Sequence, residues 1–419
     1  MLSMPEISIW PLCPMKVYAH MPPEELSEMA MVFALWRLHM PLRFCHAGDF
    51  HLDEDRYFAD TAQCLGWFVA DAIRSSVDFF VIDGDLTTYK ATIKERNTWV
   101  DRLVQMANHA PVILVAGNHG AELEGDLYVF GRAKGKYPIY LCTEPQLIEL
   151  GEASVAVFPY PRKADIAGNE RSLGETFAQQ LDEFNQRFEQ RPGSYKLFFG
   201  HFGVAGAKVS SGQPLVGRCA EYPLDPLRSL KAQYVGLSHV HLRQQLAPRI
   251  WYAGSLSRCD YSEVEDKGYH LVTLKSPELH PDLPDLNVEF MVSPTRRMVE
   301  IHATYENGDL RLPDNLDPVT LKDSRVKVVV TVRNGPDHLL SREQQENLRE
   351  KLLVASPAEL KVKIEHDADT PAEPAPIAAA RSAEEKLRAY WAMKGSPSAD
   401  RQERLLAKLA EIEMVEIRS

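Results

Sequence analysis

The stretch Leu42-Arg43-Phe44-Cys45-His46-Ala47-Gly48-Asp49-Phe50-His51 passes from an apolar segment through a glycine into two metal-binding side chains. Short apolar runs bounded by glycine and loop residues predict buried strands, and ligands at strand ends gather on one rim of a sheet. Four further runs repeat the pattern. Phe79–Ile82 leads into Gly84-Asp85, and Val112–Ala116 into Gly117-Asn118-His119. Leu197–Phe199 leads into Gly200-His201, and Tyr234–Leu237 into Ser238-His239-Val240-His241. A lone histidine or aspartate at a strand end is more often structural than a ligand, but five such ends in series reverse that weighting.

Two cations held close together need oxygen and imidazole ligands and a carboxylate that bridges them. Asp49 and His51 are two residues apart, so on a strand they are expected to point the same way and bind one ion together. Asp85 follows a glycine that lets the chain turn sharply, and is the expected bridge. Asn118 adds a neutral oxygen, and His201, His239 and His241 complete a set that leaves positions open, as a catalytic site requires. His119 lies beside a ligand and is expected to protonate a leaving oxygen or steady transition-state charge, against the alternative of a loop histidine. His46, His270, His280, His302, His338 and His366 fall outside the strand-end series and read as structural. Asp83 reads as a supporting or surface residue, and Asp53-Glu54-Asp55 as a solvated loop.

The chain has 419 residues, enough for two or three domains. A net charge of −12 argues against coating nucleic acid by bulk electrostatics, though not against a local basic track. The six cysteines form no C-x-x-C pair and read as reduced thiols of a cytoplasmic protein. No apolar run reaches the ~20 residues a membrane-spanning helix needs, so no membrane association is expected. Residues 1–40 read as an extension, or as sequence upstream of the start the cell uses.

Residues 41–275 alternate strands with helices at Thr61–Ser75, Lys94–Ala110 and 174–192, which predicts an α/β layered domain. Residues 276–366 read as a separate α+β capping domain. It has alternating strands at Val288-Phe290-Val292 and Val326–Val332, a helix capped by Ser341 and Gln344, and a strand at Leu360–Ile364. Residues 367–381, rich in Ala, Pro and Asp, read as a linker. Residues 382–419 predict two amphipathic helices, the first capped by Ser382 and Glu385. One carries Leu387 and Trp391, the other Leu405, Leu406, Leu409 and Ile412. These faces either pack on the body or capture a partner.

The ordered set Asp49-x-His51, Gly84-Asp85, Gly117-Asn118-His119, Gly200-His201 and His239-x-His241 resembles the calcineurin-like metallophosphoesterases. More narrowly, the chain is similar to the SbcD-type nucleases of DNA double-strand breaks. Tyr252–Arg258, running on to Lys267-Gly268-Tyr269, is similar to the stretch after the last histidines in that family. The resemblance covers roughly residues 40–415. It implies a four-layer α-β-β-α sandwich, followed by the capping domain and the helical pair. It also implies two Mn²⁺ ions, with Mg²⁺ a poorer substitute. Asp49, His51, Asp85 and His241 would surround one ion, and Asp85, Asn118, His201 and His239 the other, with His119 catalytic. The implied partners are DNA ends and an SbcC-type coiled-coil ATPase bound through the C-terminal helices, with the chain a homodimer inside a heterotetramer.

Gly120, Ser238 and Thr88 depart from the family pattern, and none of them replaces an expected ligand. Where Thr88 stands, some relatives carry a histidine, so any role of that histidine in positioning DNA does not transfer. The expected activity is Mn-dependent exonuclease or endonuclease cleavage of DNA in repair. The alternative is another calcineurin-like phosphodiesterase acting on small nucleotides or lipid headgroups. A non-catalytic scaffold is disfavoured because every expected ligand is present.

Overall fold

The structure is a computed structural model. It describes residues 41–416 apart from 120–125, 162–172, 193, 211–220, 276–285, 307–308, 314–317, 333–341, 354–356, 367–383, 386, 389–390 and 392–397. The capping positions Ser341 and Ser382 and the whole of 1–40 lie outside the described residues. The chain divides into two compact units, Met1–Arg297 and Met298–Ser419.

In the first unit the apolar runs become the inner strands of two six-stranded sheets. The first sheet places β1 (Leu42–Gly48), β2 (Phe79–Asp83), β3 (Val112–Val115) and β4 (Ile139–Cys142) side by side in parallel. The hairpin β13 (Gly268–Leu274) and β14 (Leu286–Val292) joins β1 antiparallel. The second sheet has β10 (Tyr234–Ser238), β7 (Tyr195–His201), β6 (Ala153–Phe158) and β5 (Gln146–Leu150) in neighbouring order. On its other side lie β12 (Ile250–Tyr252) and β11 (Gln244–Ala247). A separate short pair joins β8 (Gly203–Val204) to β9 (Glu221–Tyr222).

The inner strands β2, β3, β6 and β10 are largely apolar and buried because both faces of each sheet are covered there. Alternate side chains go to opposite sides. Phe79 and Val81 join Val155, Val157, Leu197 and Phe199 between the two sheets. Phe80 and Ile82 instead pack with Leu65 and Phe68 of α1 (Phe58–Arg74), Trp99 and Leu103 of α2 (Ile93–His109), and Phe130 of the short α3 (Asp126–Phe130). On the far side Phe198 and Val235 meet Phe177, Leu181 and Phe184 of α4 (Leu173–Glu189) and Leu227 of α5 (Leu224–Ser229). The layers are therefore helix, sheet, sheet, helix. A capping box between Thr92 and Glu95 starts α2, and the Trp99 indole N–H donates to the Leu86 carbonyl at 3.1 Å. That bond ties the helix to the loop just after Asp85.

Strand β14 corrects the expected domain boundary. Its full register with β13, from Gly268 against Val292 to Leu274 against Leu286, places Val288, Phe290 and Val292 in the first sheet. The first unit therefore runs on to Arg297, beyond the expected end at residue 275. The second unit keeps a four-stranded sheet in the order β16 (Asp309–Arg311), β15 (Met298–Glu306), β17 (Arg325–Val332), β18 (Glu359–His366). Its core joins Ile301, Val328 and Val330 to Leu321 of α6 (Pro318–Leu321) and to Leu348 and Leu352 of α7 (Arg342–Leu353). Helix α8 (Ala399–Glu416) follows in the same unit, and no described helix is long and apolar enough to cross a membrane.

Between the two sheets lies a polar chain that starts at the exposed Arg243 and is buried from His270 to Asp83. Arg243 Nε donates to His270 Nε2 at 3.2 Å, and a guanidinium can only donate. With His270 neutral, its Nδ1–H therefore donates to the Tyr234 hydroxyl (3.0 Å), which donates to His46 Nδ1 (3.0 Å). His46 Nε2–H then donates to Asp83 Oδ2 at 3.1 Å. Burial holds the His270 imidazole well below its ordinary range, as this assignment requires. Asp83 is fully buried, which excludes the surface alternative read for it from the sequence. Tyr234→Phe keeps the ring packed against Phe44 and Phe199 but leaves both imidazoles without their shared partner. It is expected to cost about 1–3 kcal/mol in a denaturant titration, the penalty of stranding buried polar groups. An unchanged midpoint would mean that the chain of hydrogen bonds adds nothing to stability.

Candidate metal centre

The five strand ends meet at one rim. Phe50 and His51 both donate their backbone N–H to the Asp85 carbonyl at 2.9 Å, locking the loop after β1 to the loop after β2. Strand β1 stops at Gly48, and Asp49 (φ 52°) and His51 (φ 47°) are both left-handed. Their shared direction therefore comes from two strained loop residues, and not from strand alternation as the sequence suggested. Asp85 (φ 53°) and His239 (φ 94°) are left-handed as well. Backbone strain in non-glycine residues clusters where a site demands it. Gly84 (φ +76°) makes the turn into Asp85, and a Cβ there would lie 2.2 Å from His201 Nδ1. At Gly117 a Cβ would lie 2.2 Å from Asp85 Oδ1, so both glycines are required by close approach.

Two ligand groups result. Asp49, His51 and His241 present ligand atoms within 4.8 Å of one another, and so do Asp85, His201 and His239. Asn118 belongs with the second group, its Oδ1 lying 3.2 Å from His201 Nε2 and 2.8 Å from His239 Nδ1. Asp85 stands between the groups. Its Oδ1 accepts the backbone N–H groups of Asn118 (2.9 Å) and His119 (2.8 Å). Its Oδ2 faces His51 Nε2 at 3.6 Å and His201 Nε2 at 3.4 Å. Asp49 is steadied from the other side by the His239 N–H, at 3.1 and 3.0 Å from its two oxygens.

The donor set fits a pair of cations. His201 Nδ1–H donates to the Asp83 carbonyl (2.8 Å) and His241 Nδ1–H to Glu263 Oε1 (2.6 Å), so both Nε2 atoms carry lone pairs when the rings are neutral. One of those lone pairs points at Asp85 and Asn118 oxygens, and the other at His51 Nε2, 3.0 Å away. Such converging atoms are satisfied by a proton on one partner or by a cation between them, and the mixture of imidazole nitrogen and carboxylate and amide oxygen suits a divalent metal. The charges agree. Burial pushes the Asp49 carboxyl up to about 6, and drives His51 and His239 down to about 3 with help from neighbouring imidazoles. Burial also opposes a charge on His201, yet the Asp85 carboxylate outweighs it and raises that imidazole to about 10.

His119 is exposed, its ring edge-on to His51 with centroids 4.9 Å apart and its Nδ1 3.4 Å from the Thr88 carbonyl. Two features escaped sequence reasoning. Tyr160 places its ring 5.5 Å from that of His239, and Glu263 supports His241. Neither follows a strand-end glycine, and Glu263 is one acid among several in its loop. Asp53 is buried, unlike the solvated loop expected there, and its Oδ1 accepts the Asp55 N–H at 3.0 Å. Among the C-terminal residues read as a docking face, Leu405 is exposed, while Leu406, Leu409 and Leu387 are half-buried. Trp391 is 5% exposed and so offers no open apolar surface, and the Ile412 side chain lies outside the described residues.

The layered sheets and the paired ligand groups define a metal-dependent hydrolase of phosphoesters. Residues 42–243 match the family model of the calcineurin-like phosphoesterases. The chain is similar in structure to the protein TT1561 of Thermus thermophilus, at 13% identity over 60% of this chain and 99% of that one, TM-score 0.38. It is also similar to a purple acid phosphatase from yellow lupin seeds, at 14% identity over 56% of this chain and 49% of that one, TM-score 0.37. A dimetal phosphatase from Danio rerio gives 12% identity over 61% of this chain and 98% of that one, TM-score 0.35. No curated protein matches the chain in sequence.

Proposed function

We propose that the chain is a DNA phosphodiesterase that works with two divalent ions, manganese above magnesium. The observation that carries the reading is the Asp85 carboxylate, whose Oδ2 faces both ligand groups while two backbone N–H groups pin its Oδ1. Asp49, His51, Asp85 and His241 would hold one ion, and Asp85, Asn118, His201 and His239 the other. When bound, such a pair supplies charge stabilisation to the attacking and leaving oxygens of an in-line displacement. The chain's own residues do the rest. The strained loops fix the ligands in place before substrate arrives, and Glu263 and the Asp83 carbonyl fix two imidazole tautomers. His119, exposed on the rim, is placed to give a proton to the departing oxygen. DNA as substrate, and docking of an SbcC-type coiled-coil ATPase on residues 382–419, rest on the five-block resemblance and on the segment from Tyr252 to Tyr269.

The test is cleavage of linear duplex DNA and of a small aryl phosphodiester in manganese, in magnesium and in chelator. Both substrates should be cut in manganese, poorly in magnesium and not in chelator, because imidazole-rich shells suit manganese better. Repeating the assay with the ATPase and without residues 382–419 should abolish co-purification while sparing the small substrate. Diester cleavage with DNA left intact, ATPase present or absent, would favour small nucleotides as the substrate. Equal cleavage in chelator and manganese would refute the metal-dependent reading.

A further inference from the structure

Arg258 and Lys267 belong to the segment that follows the last histidines, and both are buried. What they build is a cradle for one carboxylate. Arg258 donates from Nε to the Glu263 carbonyl (2.8 Å) and from Nη2 to the Glu265 carbonyl (2.7 Å), fixing the backbone of that turn. Lys267 Nζ lies 3.2 Å from Glu263 Oε2 and 2.7 Å from Glu265 Oε1, and donates to the His241 carbonyl at 3.0 Å. Glu263, 4% exposed, spends Oε2 on the Cys259 N–H (2.8 Å) and Oε1 on His241 Nδ1–H (2.6 Å). The grouping of His241, Cys259 and Glu263 could itself be taken for a metal position. Both Glu263 oxygens already accept from N–H donors, so its role is support.

The two ligand groups are supported unequally. His201 leans on the neutral Asp83 carbonyl, and His239 turns its Nδ1 to Asn118, whereas His241 alone is backed by a buried carboxylate. A carboxylate behind an imidazole orients the ring and raises its basicity, which tightens the metal it holds. We propose that Glu263 is a positioning residue for His241, and that it makes the Asp49–His51–His241 position the tighter of the two. The proposal rests on the two-ion reading above.

The test is stepwise Mn²⁺ titration of the metal-free full chain, following the resonance of free Mn²⁺, with folding checked by circular dichroism. The wild type should bind two ions with unequal affinity. Glu263→Gln removes the charge at constant shape and should weaken the tighter ion by about 10–100-fold, leaving the other near its original value. If the glutamine variant fails to fold, Glu263→Asp keeps the charge facing Lys267 but draws it away from His241, and should weaken the same ion. A folded variant that binds both ions with wild-type affinities overturns the proposal. A wild type that binds no manganese instead overturns the two-ion reading itself.

Discussion

Asp85→Asn is expected to release both ions and to abolish hydrolysis while leaving the metal-free protein folded. The amide oxygen can still accept the Asn118 and His119 N–H groups at the Oδ1 position. Its NH₂ then replaces Oδ2 and donates toward the lone pairs of His51 and His201, 3.6 and 3.4 Å away. The substitution therefore satisfies the lone pairs of the metal-free chain and removes the charge whose oxygen faces both groups. Metal analysis after manganese loading should fall from two ions toward none, with the melting temperature of the metal-free chain unchanged or raised. Retention of either ion at wild-type affinity would show that Asp85 does not bridge.

His119→Ala is expected to do the opposite, keeping the ions and losing turnover. The contact of His119 with Asp85 is made by its backbone N–H, which alanine retains, and the side chain is exposed, so neither ligand geometry nor folding should suffer. Loss of a positioned proton donor typically costs about 10²–10⁴-fold in rate. The loss should appear in kcat with KM little changed, and should shrink for a substrate whose leaving group needs no proton. Release of manganese from this variant would place His119 among the ligands.

The strands at Leu42, Phe79, Val112, Leu197 and Tyr234 were legible because a sheet covered on both faces writes itself as an unbroken apolar run ending in glycine. The gathering of Asp49, His51, Asp85, His201, His239 and His241 was legible for the same reason, since parallel strands deliver their ends to one rim. What stayed hidden depends on three-dimensional return paths. Nothing local distinguishes Glu263 from the acids around it, because its partner His241 comes from another strand end. The register of β14 depends on pairing across residues 276–285, so its alternation read equally well as the first strand of the following module. The left-handed conformations of Asp49 and His51 were hidden too, since an i, i+2 spacing looks the same on a strand and in a strained loop. His46 and His270 read from the sequence as structural, but their linkage through Tyr234 required both sheets to be in place.

The most direct test of the paired site is a manganese-loaded crystal structure with anomalous differences recorded at the manganese edge. Two peaks are expected, one bounded by Asp49, His51, Asp85 and His241 and the other by Asp85, Asn118, His201 and His239. A single peak, or peaks that leave Asp85 outside the coordination of either ion, would contradict the account.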